Sequence, residues 1–130
     1  MQMLPPNQKN ETEVLWQDQE RINTFSKLNT RLTRFREELE QQQKEHEYLT
    51  DVQMELELVD EDEKVQYRIG GSFVFLPQPE ALERLEADTE AATLAIEKKE
   101  AEIEEITSQM GALKKELYAK FGNAINLESD

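Results

Sequence analysis

Cysteine is absent from the 130 residues, which excludes a disulfide framework, a thiolate metal site and a cysteine nucleophile. A reducing compartment fits that composition. Histidine occurs once, as His46, with no second His, no Cys and no serine nucleophile spaced to work with it, so neither a triad nor a metal site can be built around it. Positive charge is scarce: 15 Lys and Arg stand against 29 Asp and Glu, a net charge of −14. Duplex nucleic acid and anionic membrane surfaces would be repelled by that field and are not expected partners. Long apolar runs are missing too, none approaching the ~18 to 20 residues of a membrane span. Met1 to Asn10 has neither the positive start nor the apolar stretch of a secretory signal, so the chain is expected to stay inside the cell. Finally, an apolar share of 37% beside 34% charged residues is too thin for a compact globular core of ordinary proportions. One elongated domain is expected.

What the sequence does contain is helical periodicity. Residues 1–13, with Pro5, Pro6 and a polar run, read as a flexible tail, and residues 128–130 as a short second one. From about Leu15 to Leu58 there is no Gly or Pro, and Glu, Gln, Arg, Leu and Lys dominate, which predicts one helix over 14–58. Phe25, Leu28, Leu32, Phe35, Leu39, Gln42, His46, Leu49, Gln53 and Leu56 step by threes and fours, the a and d spacing of a coiled coil. Pro77 and Pro79 suit a second helix entry, and Gly122 with Asn123 a stop, which predicts a helix over 79–121. Its stripe runs Leu82, Leu85, Thr89, Ala92, Ile96, Lys99, Ile103, Ile106, Met110, Leu113 and Leu117. At ~1.5 Å per residue each helix would be roughly 60 to 70 Å long.

Between the helices the period changes to two. Val65, Tyr67 and Ile69 alternate with Gln66 and Arg68; Gly70-Gly71-Ser72 then precedes Phe73-Val74-Phe75-Leu76, predicting a β-hairpin over 64–76. Two strands are marginal in water, and the second is apolar at every position, so the hairpin calls for strands from elsewhere. A connection this short returns the second helix antiparallel to the first. One register satisfies both stripes without a slip, pairing Phe25 with Leu113, Leu28 with Met110, Leu32 with Ile106, Phe35 with Ile103, Leu49 with Thr89 and Leu56 with Leu82. It also lays the basic stretch Arg21 to Arg36 along Glu102, Glu104 and Glu105, and it sets Leu39 opposite Lys99, Gln42 opposite Ile96 and His46 opposite Ala92. That middle should be wetter than the rest.

No catalytic residue, metal or cofactor is expected. Asp60 to Glu63 lacks the spacing of a calcium loop, whose sixth and twelfth positions would fall on Val65 and Gly71. Gly70-Gly71 lacks the Lys and Ser/Thr of a phosphate loop and is explained by a hairpin turn. The informative residues are apolar ones outside the stripes. Val14, Leu15, Trp16 and Ile22 begin the first helix, while Tyr118 and Phe121, with Ile125 and Leu127 beyond, finish the second. Antiparallel pairing gathers them at the tip farthest from the hairpin, either to cap the coiled coil's own end or to hold apolar segments of another protein.

The order helix, hairpin, helix resembles the β-type subunits of the prefoldin family. The residues that carry the likeness are Trp16-Gln17-Asp18-Gln19 with Ile22-Asn23 and Phe25; Val65-Gln66-Tyr67 with Ile69-Gly70; and Leu117 to Gly122 followed by Ile125-Asn126-Leu127. It covers residues 14–127, with one departure, Leu15 where a Ser or Thr is common. The resemblance implies a mainly α fold, a long antiparallel two-helix coiled coil whose hairpin joins an intersubunit β-barrel. It implies a heterohexamer of two α-type and four β-type subunits, three of the β-type being other chains. It implies an ATP-independent co-chaperone, not an enzyme, that captures non-native actin and tubulin and delivers them to the cytosolic chaperonin. A cytoplasmic location follows, with the nucleus as a second compartment. On this reading Trp16, Ile22, Tyr118 and Phe121 form the client-binding tip, and Val65, Tyr67, Ile69, Phe73 and Phe75 the assembly hairpin. A structural coiled-coil adaptor for folded partners is the alternative that periodicity alone allows.

Overall fold

A computed structural model of the chain describes residues 2–3, 16–122 and 125–126. In chain order these form β1 (Gln2–Met3), α1 (Trp16–Glu57), β2 (Lys64–Ile69), β3 (Ser72–Pro77), α2 (Gln78–Phe121) and β4 (Ile125–Asn126). The fold is mainly helical, two long helices joined by an antiparallel hairpin, as the sequence predicts. The β1–β4 pair was not expected, because Gln2–Met3 lies in the stretch read as a flexible tail. Val14, Leu15 and Leu127 lie outside the described residues. The chain divides into two compact units, Met1–Glu37 with Glu100–Asp130 and Glu38–Lys99.

In the first unit the start of α1 packs against the end of α2. Leu28, Leu32 and Ile106 form one buried cluster, with Phe35, Ile103, Met110 and Leu113 packed against it. Ile22, Phe25, Leu117 and Phe121 form the next. Partners rise in number along α1 as they fall along α2, so the segments are antiparallel, in the register the two stripes predict. Half-buried Arg21 adds a cross-helix ion pair, its Nε 3.0 Å from Glu116 Oε2. α2 stops at Gly122, whose φ of 57° is a left-handed cap that a side chain would resist.

The second unit holds the hairpin. β2 and β3 pair Tyr67 with Val74 and Val65 with Leu76, and only Gly70 and Gly71 connect Ile69 to Ser72. Gly70 has φ 61° whereas Gly71 does not have a positive φ, the pattern of a II′ turn, which matches strand twist. The inner face of the hairpin seats on the helices: Leu56, Tyr67, Ala81 and Leu85 are buried together, with Leu49, Val52, Val65, Val74, Leu76 and Leu82 packed around them. Gln78 joins the parts. Its N–H donates to Glu63 O at 2.9 Å and its buried Nε2 donates to Leu56 O at 3.0 Å, a second bond to a carbonyl at the end of α1 that also accepts from Val59 N–H at 3.1 Å. Pro79 follows in the first turn of α2, where its missing N–H costs no helical bond.

The middle of the helices is polar, as expected, and its side chains bond to residues next to the facing positions. Lys99 does not simply face Leu39; its Nζ lies 2.7 Å from Glu38 Oε2. His46 Nε2 meets Thr93 Oγ1 at 3.1 Å, one residue beyond the expected Ala92. Gln42 Oε1 is buried with no hydrogen-bond partner among the described residues.

Candidate functional site

Two groups of residues were singled out by the sequence, and each falls within one unit. The hairpin group splits between two faces. Alternation along β2 and β3 turns Val65, Tyr67, Val74 and Leu76 inward and Phe73 and Phe75 outward. Tyr67 is buried by the chain's own helices, and its hydroxyl donates a 2.6 Å hydrogen bond to Asp88 Oδ2 on α2. Burial, then that hydrogen bond, pushes its ionisation well above the usual phenol range. Val65 is half-buried on the same side. Thus Val65 and Tyr67, read from the sequence as part of the assembly hairpin, face the chain's own helices, which supply a second layer that two strands lack.

The outer face remains open. Phe73 is 61% exposed and Phe75 70%, standing across from Arg68 and Gln66. Ile69, beside the turn, is exposed as well. A cleft of about 450 Å³ adjoins Phe73, lined also by Tyr48, Leu49 and Val52 of α1, Tyr67 of β2 and Leu85 of α2. Among the described residues this sheet has two strands, so β2 and β3 each have one unpaired edge. Exposed aromatics beside free strand edges are an adhesive surface, suited to adding strands or a second layer.

The helix-end group is arranged differently from the expectation. Ile22 (3% exposed) and Phe121 (6%) lie in the seam, not beside it. The stripes continue past their expected ends by the same steps, from Phe25 back to Ile22 and Asp18 and from Leu117 on to Phe121, so the spacing already held this signal. Tyr118 is half-buried against that cluster, with Lys114 Nζ 5.6 Å from its ring centre. Of the four residues, Trp16 alone is largely open, at 72%.

Asp18 occupies the next seam position as a buried carboxylate. Its Oδ1 accepts from Arg21 Nη1 at 3.0 Å and its Oδ2 accepts from Lys120 Nζ, which also lies 5.4 Å from the Phe121 ring centre. Two cations therefore offset the cost of burying the charge, and together they fasten α1 to α2 beside the apolar cluster. Sequence reasoning passed over Asp18 and Lys120 because charged residues at a helix end ordinarily read as solvated.

None of this geometry assembles nucleophile, base and acid, and among the described residues no group of three or more His, Cys, Asp or Glu could hold a metal ion. Nor is any described helix long and apolar enough to cross a membrane. Comparisons with known proteins agree on one family. Residues 19–124 match the family described as prefoldin subunit. The chain is 48% identical over 128 residues to prefoldin subunit 4 of Saccharomyces cerevisiae, covering 98% of this chain and 99% of that one. It is 36% identical over 118 residues to prefoldin subunit 4 of Homo sapiens, covering 90% and 88%. The crystal structure of the prefoldin beta subunit from Thermococcus strain KS-1 has the same fold, with a TM-score of 0.75 at 14% identity over 85% of this chain and 97% of that one. The chain belongs to the prefoldin family, and within it is similar to subunit 4 of eukaryotes.

Proposed function

We propose that this chain is one subunit of a heterohexameric, ATP-independent co-chaperone that captures non-native proteins, actin and tubulin among them, and delivers them to the cytosolic chaperonin. It does so in the cytoplasm, with two α-type and three further β-type subunits as partners and without catalysis. The observation that carries the reading is the outer hairpin face. Phe73, Phe75 and Ile69 are exposed beside unpaired strand edges, while Val65, Tyr67, Val74 and Leu76 are packed against the helices. A surface so placed serves assembly, and membership of a family of prefoldin subunits makes other subunits the partners. At the helix ends, Trp16 and Tyr118 are the proposed client contacts, with Ile22 and Phe121 holding the helices that present them.

The test is dilution of denaturant-unfolded actin into buffer with the complex reconstituted from this chain and its partner subunits, without nucleotide, followed by light scattering. Suppressed aggregation is the expected result. A complex that assembles and leaves aggregation unchanged would instead be a coiled-coil adaptor for folded proteins.

A further inference from the structure

Between Arg21 and Arg36, α1 carries five basic residues and no acidic one, in a chain whose net charge is −14. The stripes lay these cations along Glu102, Glu104 and Glu105 of α2, where neutralisation would be expected. The structure leaves three of them open. Arg21 is held by Asp18 and Glu116, and Arg34 leans on the Phe35 ring, its Cζ 5.3 Å from the ring centre. The side chains of Lys27, Arg31 and Arg36 are exposed and close no ion pair or hydrogen bond among the described residues, while Glu105 Oε1 accepts instead from Gln109 Nε2 at 3.1 Å. Lys27, Arg31 and Arg34 are spaced four and three apart, so they share one face of the helix. We propose that this face is a docking surface for a short, extended acidic segment of a partner protein.

Like charges three and four apart repel and cost helix stability, and a bound anion relieves that cost. The surroundings favour charge over apolar contact. Asn23, Thr24, Thr30 and Thr33 are exposed neighbours, whereas Ile22, Phe25, Leu28 and Leu32 are buried and Phe35 is half-buried. The face therefore differs in kind from the outer hairpin face and from the apolar helix ends, and the inference goes beyond the proposed capture function: selection is by charge, whether the partner is folded or not. Arg contributes most of the cations, and its forked guanidinium takes a carboxylate through two N–H donors. Length sets the size of the occupant. Arg21 to Arg36 spans about 22 Å along a helix, which about seven extended residues match. Exposed Glu20 precedes the stretch and exposed Glu37 follows it, so a longer polyanion meets like charge at both ends. That boundary disfavours nucleic acid, and the stretch has no exposed aromatic ring on which a base could stack.

The probe is a fluorescein-labelled peptide of eight glutamates, titrated against the full chain, alone and in the complex reconstituted with its partner subunits, with binding read by fluorescence anisotropy. Lys27→Gln with Arg31→Gln should weaken binding roughly tenfold. Lys44→Gln with Lys98→Gln removes the same charge from exposed cations outside the stretch and should change binding by less than about twofold. Binding to the unsubstituted chain should also weaken as salt is raised. Circular dichroism checks that the helices persist in both variants. Equal weakening by the two pairs would assign binding to the charge of the chain as a whole and overturn the docking surface, as would the absence of binding at low salt. Tighter binding of an eight-nucleotide single strand than of the peptide would make the face one for nucleic acid. Salt-sensitive self-association that Lys27→Gln with Arg31→Gln abolishes would make the occupant a second copy of this chain. Either result would overturn an acidic partner segment.

Discussion

Tyr67 on β2 donates a 2.6 Å hydrogen bond to Asp88 Oδ2 on α2, and this bond ties the hairpin to the helix it rests on. Hydrogen bonds to charged groups contribute about 1.5 to 3 kcal/mol, and Asp88, on the exposed side of its helix, recovers some solvation when released. Tyr67→Phe keeps the ring in the cluster with Leu56, Ala81 and Leu85 and removes only the hydroxyl. The expected loss is about 1 to 2 kcal/mol in urea denaturation, with unchanged helix content.

The same pair makes stability sensitive to alkaline pH. The Tyr67 ionisation is raised in the fold by burial first and by Asp88 second, above the unfolded phenol value of about 10. The folded state therefore holds the proton more tightly than the unfolded one. That contribution is complete below pH ~10 and is lost progressively as pH rises above it. Urea midpoints measured from pH 8 to 11.5 should fall more steeply above pH 10 for the unsubstituted chain than for Tyr67→Phe. Parallel profiles would rule out Tyr67 as the titrating group.

Asp18 offers a second substitution with a defined sign. Its carboxylate is buried between Arg21 and Lys120, both of which keep partial access to water. Breaking a fully buried pair costs about 3 to 5 kcal/mol; with partners this accessible the expected cost of Asp18→Asn is nearer 1 to 2 kcal/mol. Lys120→Met should cost less, because Arg21 still answers the charge. The double variant should be less destabilised than the sum of the two, and strict additivity in a double-mutant cycle would show that the two residues are uncoupled.

How far these features could be read in advance depends on whether a periodic pattern records them. Both helices, the hairpin turn at Gly70-Gly71 and the pairings of Leu32 with Ile106 and Leu28 with Met110 follow from spacing and turn chemistry, and the structure has them. Spacing also reaches Ile22, three residues before Phe25, and Phe121, four after Leu117; read from the sequence as apolar residues outside the stripes, they instead continue them. Individual polar bonds are another matter. That Gln78 would serve Leu56 O, or Lys99 reach Glu38, depends on where side chains end in space, and composition carries no record of it. The inward turn of Tyr67 was hidden for a related reason. Alternation says that Val65 and Tyr67 share a face, and only the packing of the helices decides which face that is.

The outer hairpin face gives a prediction about assembly. Phe75 is exposed in the chain alone, so Phe75→Asp removes no contact with the chain's own core. The isolated variant should unfold within about 0.5 kcal/mol of the unsubstituted chain, as substitutions at exposed positions generally do. In size-exclusion of the reconstituted complex the same variant should be lost from the assembled peak, because a charge would be buried against partner strands. Normal incorporation would move the assembly surface elsewhere.

Trp16 and Phe121 separate client contact from support at the helix ends. Phe121 is buried with Ile22, Phe25 and Leu117, so Phe121→Ser leaves a cavity and is expected to cost about 3 to 5 kcal/mol. Any loss of client retention in that variant would follow from loosened helices and would not identify a contact. Trp16 is 72% exposed at the start of α1 and supports little of the fold. Trp16→Ser should leave thermal unfolding of the complex nearly unchanged while lowering its protection of unfolded actin, since one large side chain contributes only about 1.5 to 3 kcal/mol to a many-point contact. The decisive comparison is protection at a temperature where both complexes are intact. If Trp16→Ser protects as well as the unsubstituted chain, the exposed aromatic is not a client contact, and Tyr118 is left as the proposed contact at the helix ends.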